Sequence, residues 1–191
     1  METATPRRMV ILGDSLTAGY GIAKADAYPA LLEAKLKETK ASWQVANGGR
    51  SGDTTKNGLA RLRWLLKKPA DVLVIALGGN DGLRGLSSEE MRKNLKAMVD
   101  LARKDSPNVK IVLAGMQMPD NMGVEYVKAF QEVFPSLAHE EKLTLIPFLL
   151  EGIAGDDAFN QEDRIHPNED GHKKIAETVW KALQPLVTES P

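Results

Sequence analysis

Apolar residues along this chain follow two alternating patterns. Short unbroken runs rich in Val, Ile and Leu occur at Met9–Leu12, Val72–Leu77, Ile111–Ala114 and Leu143–Pro147, with a weaker one at Trp43–Ala46. Runs of this length bounded by Gly, Pro and polar residues read as strands buried on both faces. Between them, Tyr28–Leu36, Leu59–Leu66, Met91–Leu101, Val124–Leu137 and Ile175–Val187 carry apolar residues at three- and four-residue spacing, the mark of helices with one buried face. Strand and helix in strict alternation are βαβ units, whose right-handed crossovers place helices on both faces of a parallel sheet. The pattern predicts an α/β protein: a three-layer α/β/α, flavodoxin-like fold on a mainly parallel sheet of about five strands. Its 191 residues suit a single domain spanning 1–191.

Helix punctuation agrees. Ser87-Ser88-Glu89-Glu90 offers a cap followed by acidic residues, and Pro167 reads as the first residue of the last helix. Glu151 to Asp163 is the longest stretch without periodicity, and loops of that length in compact domains are often functional.

Composition narrows the chemistry. Lys and Arg number 25 against 26 Asp and Glu, a balance that gives no electrostatic reason to expect nucleic acid as a partner. No apolar run approaches the roughly 18 residues of a membrane span, and residues 1–8 lack a signal-peptide core, so no integral membrane segment is expected. The absence of Cys removes thiol nucleophiles, thiolate metal sites and disulfides together. Three histidines remain: His139, His166 and His172. A side-chain nucleophile here must be a hydroxyl or a carboxylate.

In open parallel sheets ligands bind outside the carboxyl ends of the strands, so candidate chemistry belongs just beyond each apolar run. The first run leads into Gly13-Asp14-Ser15-Leu16, the second into Asn47-Gly48-Gly49-Arg50-Ser51-Gly52-Asp53, the third into Gly78-Gly79-Asn80-Asp81 and the fourth into Gly115-Met116-Gln117-Met118-Pro119. Asp163-Arg164-Ile165-His166-Pro167 stands before the last helix. These are the parts of an acyl-transfer site. Ser15 falls in a tight strand-to-helix turn, and a serine hydroxyl, barely ionised at neutral pH, needs a base within hydrogen-bond reach. His166 is the best candidate, and Asp163, three residues earlier, can hold one ring N–H. With Pro167 opening the helix, His166 would be its N-cap, where the dipole disfavours imidazolium and Asp163 opposes that effect. The backbone N–H groups of Ser15 and Gly52 and the amide of Asn80 could converge on an oxyanion. By composition alone, Asp-x-x-His-Pro arises by chance in roughly one chain in a hundred and Gly-Asp-Ser-Leu less often. Both together, in this order and with Gly-x-Asn-Asp, make coincidence a poor account.

The chain resembles the SGNH hydrolases of the GDSL family, and within it the bacterial multifunctional acyl-CoA thioesterase, lysophospholipase and arylesterase subgroup. The resemblance rests on Gly13-Asp14-Ser15-Leu16, Gly52, Gly78-Gly79-Asn80-Asp81 and Asp163-x-x-His166-Pro167, and extends through Gly58-Leu59-Ala60-Arg61-Leu62, the run Gly78 to Gly85 and Gln184-Pro185-Leu186-Val187. It implies a catalytic triad of Ser15, Asp163 and His166, an oxyanion hole of Ser15, Gly52 and Asn80, no metal and no cofactor. It implies a small-molecule ester or thioester with a linear acyl chain as substrate, a monomer as sufficient, and a periplasmic or secreted location, with the cytoplasm as the alternative. Leu83, Met116, Met118, Pro119 and Met122 would form an adaptable apolar groove; the plainer alternative is that the methionines close the core at a strand end. One departure is Gly48-Gly49-Arg50 ahead of Ser51-Gly52, where small and apolar residues are usual, and Arg50 would add positive charge near the mouth.

Other readings compete. A carbohydrate acetylesterase of the same fold would prefer acetyl esters. A flavodoxin-like flavin-binding module would use Ser15, Thr17 and Gly19 to cradle a phosphate, and leaves Asn80, Asp163 and His166 without a task. The Gly-x-Ser-x-Gly elbow of α/β-hydrolases and the phosphate-loop motif are absent. His166 and His172, with Glu169 and Asp170 between them, suggest a metal site only superficially, because six residues along a helix turn the two imidazoles apart; His172 reads as structural or solvent-exposed.

Overall fold

The computed structural model describes residues 5–39 and 41–188. Five strands, β1 (Arg7–Gly13), β2 (Trp43–Gly49), β3 (Val72–Ala76), β4 (Lys110–Ala114) and β5 (Thr144–Ile146), form one sheet in the order β2-β1-β3-β4-β5, with every pairing parallel. Every residue of β3 is buried, as its unbroken Val-Leu-Val-Ile-Ala run requires of a strand covered on both faces. β2 lies at an edge, which accounts for its weaker apolar signal.

The long helices are α2 (Tyr28–Lys37), α3 (Thr55–Leu65), α5 (Ser88–Asp105), α6 (Val124–Glu141) and α7 (Glu169–Thr188). Two short turns, α1 (Ser15–Ala18) and α4 (Gly79–Leu83), come directly after β1 and the β3 loop. α2 packs with α7 on one face of the sheet, and α3, α5 and α6 cover the other, giving the expected three layers. Ser87 caps α5 as predicted, its hydroxyl accepting the Glu90 N–H.

The last helix corrects one expectation. It begins at Glu169, not Pro167. Asn168 acts as its cap, its side-chain oxygen accepting the Gly171 N–H at 3.0 Å, while Pro167 forms an isolated antiparallel bridge with Asn160. His166 is therefore not an N-cap, and the helix dipole is not what sets its chemistry.

Strand order reverses between β1 and β3, so the topological switch point lies between the loops that carry Ser15 and Asn80. The register pairs Gly13 with Gly49 on one side and Ala76 on the other, so all three loops emerge from the sheet at one level.

Candidate active site

Ser15 opens α1 immediately beyond β1. Glycine is required at position 13 because a Cβ there would lie 1.9 Å from the Thr17 hydroxyl, which packs back against the strand end. Asp14 caps the turn, its Oδ1 accepting the Leu16 N–H at 3.0 Å. Asp14 is buried, and this desolvation pushes its carboxyl up to about 6 despite the bond from Leu16.

The loop before α7 delivers the other two groups. Asp163 turns on itself: Oδ1 accepts the backbone N–H groups of Ile165 and His166, each at 2.9 Å, and Oδ2 lies 2.6 Å from His166 Nδ1. These bonds, led by the His166 N–H, hold the Asp163 carboxyl down at about 2. An ionised carboxylate on Nδ1 keeps the proton there and leaves Nε2 as an acceptor. Nε2 stands 3.0 Å from Ser15 Oγ. The structure thus brings Asp163, His166 and Ser15 together in line.

Between Asp163 and His166 the chain passes through Arg164 at φ +58°, the left-handed region that costs a non-glycine residue about 1 kcal/mol or more. Arg164 is held there by an ion pair with Asp157 at 2.6 Å and a bond to Gly155 O at 3.1 Å. Gln161 completes the support. Its N–H donates to His166 O, and its side-chain amide donates to Tyr20 O at 2.7 Å and Pro167 O at 3.0 Å, tying the histidine loop to the end of the serine turn. The Tyr20 ring lies 4.5 Å from the imidazole, centre to centre. Neither Gln161 nor Tyr20 has a motif to announce it.

Gly52 sits at φ +82° in the turn after β2, a conformation that favours glycine, and its own Cβ position would be nearly free, with Arg84 Nη2 at 3.7 Å as its near neighbour. The requirement there is conformational, not steric. Asn80 donates from Nδ2 to Asp53 O at 3.0 Å and, more loosely, to Asp14 Oδ2 at 3.3 Å. The unusual Gly48-Gly49 pair has a steric cause, since a Cβ on Gly49 would lie 2.2 Å from Ala18 N, where α1 packs on β2. Arg50 is largely exposed and sits 3.9 Å from Asp53, whose carboxylate is engaged more closely by Arg61 at 2.6 Å. Arg50 does not line the cavity beside Ser15.

That cavity, about 320 Å³, is walled by Leu83, Met116, Met118 and Pro119, and opens onto Ser15, Asn80 and His166. Met116 and Met118 are also buried members of the core, so they serve as both groove wall and strand-end closure. Met122 departs from the expected groove: it ends a 3₁₀ turn, Asp120–Met122, and packs against the core instead of lining the cavity. Phe148, Leu150, Ala154 and Ile165 line the same cavity, and no sequence motif marks them. They come from the segment around Glu151–Asp163, whose lack of periodicity hides which side chains turn inward.

The phosphate-cradle reading loses its footing. Thr17 is fully buried with its hydroxyl bonded to Tyr28 OH at 2.7 Å, so it cannot help cradle a phosphate. His172 is buried and structural, the first of its two expected readings. Its Nδ1 accepts the Tyr28 N–H at 3.2 Å, and burial lowers its ring to about 4. Among the described residues no group of three His, Cys, Asp or Glu is placed to hold a metal, and no helix is long and apolar enough to cross a membrane.

A hydroxyl, an imidazole and a carboxylate in line at the switch point of a doubly wound sheet define the class: the α/β/α serine hydrolases. The chain belongs to the GDSL-like Lipase/Acylhydrolase family, whose model matches residues 11–174. It is 39% identical over 188 residues to Esterase TesA of Pseudomonas aeruginosa, covering 97% of this chain and 92% of that one. It is 42% identical over 188 residues to Thioesterase 1/protease 1/lysophospholipase L1 of Escherichia coli strain K12, covering 97% and 88%. The crystal structure of TesA superposes with a TM-score of 0.89 at 39% identity, over 94% of this chain and 99% of that one.

Proposed function

We propose that this chain hydrolyses carboxylic esters and thioesters of linear acyl chains through an acyl-enzyme on Ser15. The observation that carries this reading is the continuous line from Asp163 Oδ2 through the His166 ring to Ser15 Oγ, with contacts of 2.6 and 3.0 Å. As Ser15 Oγ attacks the acyl carbonyl carbon, its proton passes to His166 Nε2, and Asp163 stabilises the imidazolium formed. The carbonyl oxygen gains a full negative charge, which the Ser15 and Gly52 N–H groups and Asn80 Nδ2 receive. Asn80 turns from its looser contact, the one to Asp14, toward the oxyanion. Collapse of the adduct breaks the bond to the alcohol or thiol, which takes the proton from His166. Water then enters, gives a proton to the same nitrogen, attacks the acyl carbon and releases the acid with Ser15 restored.

The cavity's apolar walls suit an acyl chain, and the names of the relatives, an esterase and a thioesterase/lysophospholipase, point the same way. Every residue of the site comes from one chain and one sheet edge, so a monomer acting as a single domain suffices. The test is Ser15→Ala with a p-nitrophenyl ester. Turnover should vanish with circular dichroism unchanged, and the native enzyme should show a burst of p-nitrophenol stoichiometric with enzyme wherever deacylation is slower. A folded Ser15→Ala variant that still turns over the ester would refute the assignment.

A further inference from the structure

We propose that Asp81, the last residue of the Gly78–Asp81 motif, is a positioning residue that sets the oxyanion hole by tying the turn that carries Asn80 to the turn that carries Gly52. The inference rests on the reading that these two residues supply oxyanion donors. They come from loops beyond different strands, β3 and β2, and nothing in either loop alone fixes their spacing.

Asp81 supplies what the loops lack. It is 3% exposed, and its carboxylate reaches across to the start of α3, where Oδ2 accepts the Thr55 N–H at 2.8 Å and Oδ1 accepts the Thr55 hydroxyl at 2.6 Å. Thr55 Oγ1 in turn accepts from Asn94 of α5 at 3.1 Å, which holds the hydroxyl in place. Thr55 lies three residues beyond Gly52, and Asp81 is the residue after Asn80. Two further bonds join the same two segments: Arg84 Nη2 donates to Gly52 O at 2.9 Å, and Asn80 Nδ2 donates to Asp53 O at 3.0 Å. The far side of the Asn80 turn is held by Tyr126, whose hydroxyl donates to Leu86 O at 2.8 Å. Residues 52–55 and 80–84 therefore form one cross-linked unit with the two charge-assisted bonds of Asp81 at its buried centre, where such bonds are strongest. Asp81 touches neither Ser15 nor the cavity, so its effect on the reaction passes through the placement of the donors.

Asp81→Asn separates this role from simple packing. The amide keeps the volume but removes the charge: with its oxygen on the Thr55 N–H it turns an NH₂ toward Thr55 Oγ1, which already accepts from Asn94, so the hydroxyl proton loses its buried acceptor, neither bond is charge-assisted any longer, and the tie between the segments loosens. Because donors misplaced by under an ångström lose chiefly transition-state binding, kcat for a p-nitrophenyl ester should fall roughly 10- to 100-fold with KM changed less than about twofold. In an Asn80→Ala background, where one donor is already gone, Asp81→Asn should cost less than about threefold. Thr55→Val, which deletes only the hydroxyl and keeps the shape, should lower kcat severalfold in the same manner and serves if Asp81→Asn does not fold. Unchanged kcat in folded Asp81→Asn or Thr55→Val, or equal losses with and without Asn80, overturns the proposal. An Asn80→Ala variant with undiminished kcat instead removes the oxyanion reading itself, and the positioning role with it.

Discussion

Asp163 grips His166 twice, with one carboxylate oxygen on the ring Nδ1 at 2.6 Å and the other on the backbone N–H of the same residue at 2.9 Å. The double contact fixes both the tautomer and the ring's direction toward Ser15. Asp163→Asn replaces one acceptor by a donor and frees the ring to adopt the wrong tautomer. It should lower kcat roughly 10²- to 10⁴-fold with little change in KM. With its carboxyl held down at about 2, Asp163 stays ionised above about pH 3, so its titration contributes no limb to a kcat/KM profile measured between pH 4 and about 9. An Asp163→Asn enzyme with near-native kcat would show that the geometry of the loop alone orients the ring.

Gly52 gives a prediction in which conformation and crowding separate. Its φ of +82° is disfavoured for alanine by about 1–2 kcal/mol, while an added Cβ would meet nothing closer than 3.7 Å. Gly52→Ala should therefore fold, with stability in urea reduced by about 1–2 kcal/mol, and should lose kcat by more than its stability suggests as the peptide relaxes and turns its N–H away. A variant that keeps native kcat would place the second oxyanion donor elsewhere.

The layered fold is legible in the sequence because parallel strands buried on both faces have no polar positions to interrupt them, as β3 shows. The candidate triad is legible because Asp163 and His166 are three residues apart and Ser15 is bounded by glycine and a capping aspartate. The start of α7 is not, because Pro167 suits a first helical turn yet here is taken by the bridge to Asn160; the actual signal, Asn168 before Glu169-Asp170, stands one residue on. Half of the groove wall stays hidden because Phe148, Leu150, Ala154 and Ile165 lie where no period tells inward from outward. Asp14 and Asp81 are visible as motif letters, but their partners are 66 and 26 residues away, a separation only the fold closes.

The groove offers a direct handle on chain length. Ala154 lines the cavity from the exposed Glu151–Asp163 segment, so a larger side chain can be placed there without disturbing the core. Ala154→Trp should shorten the space for the acyl chain. Each methylene denied burial costs about 0.8 kcal/mol, so exclusion of two or three should reduce kcat/KM for a long p-nitrophenyl ester roughly 15- to 60-fold while the acetyl ester changes little. A chain-length series on the two enzymes reads this out. An unchanged long ester would mean the acyl chain does not pass Ala154, and equal losses for short and long esters would mean the substitution disturbs the site as a whole.

Two buried groups make opposite contributions to acid stability. Burial holds His172 at about 4, below its ordinary 6.5, so the folded state favours the neutral ring. Its contribution is complete above pH 6.5 and is lost as pH falls toward 4, by about 3 kcal/mol. Asp14 is raised from 3.8 to about 6, so the folded state takes up a proton before the unfolded chain does. Between pH 6 and 4 this stabilises the fold by a similar amount, about 3 kcal/mol. In the native protein the two slopes nearly cancel. Asp14→Asn keeps the cap on α1 but removes the compensating uptake, so its stability in urea should fall by about 3 kcal/mol more than wild type between about pH 7 and 4. His172→Gln, which retains an acceptor for the Tyr28 N–H but does not titrate, should show the reverse and gain relative to wild type as the solution is acidified. Parallel pH profiles for all three proteins would show that neither group titrates differently on folding.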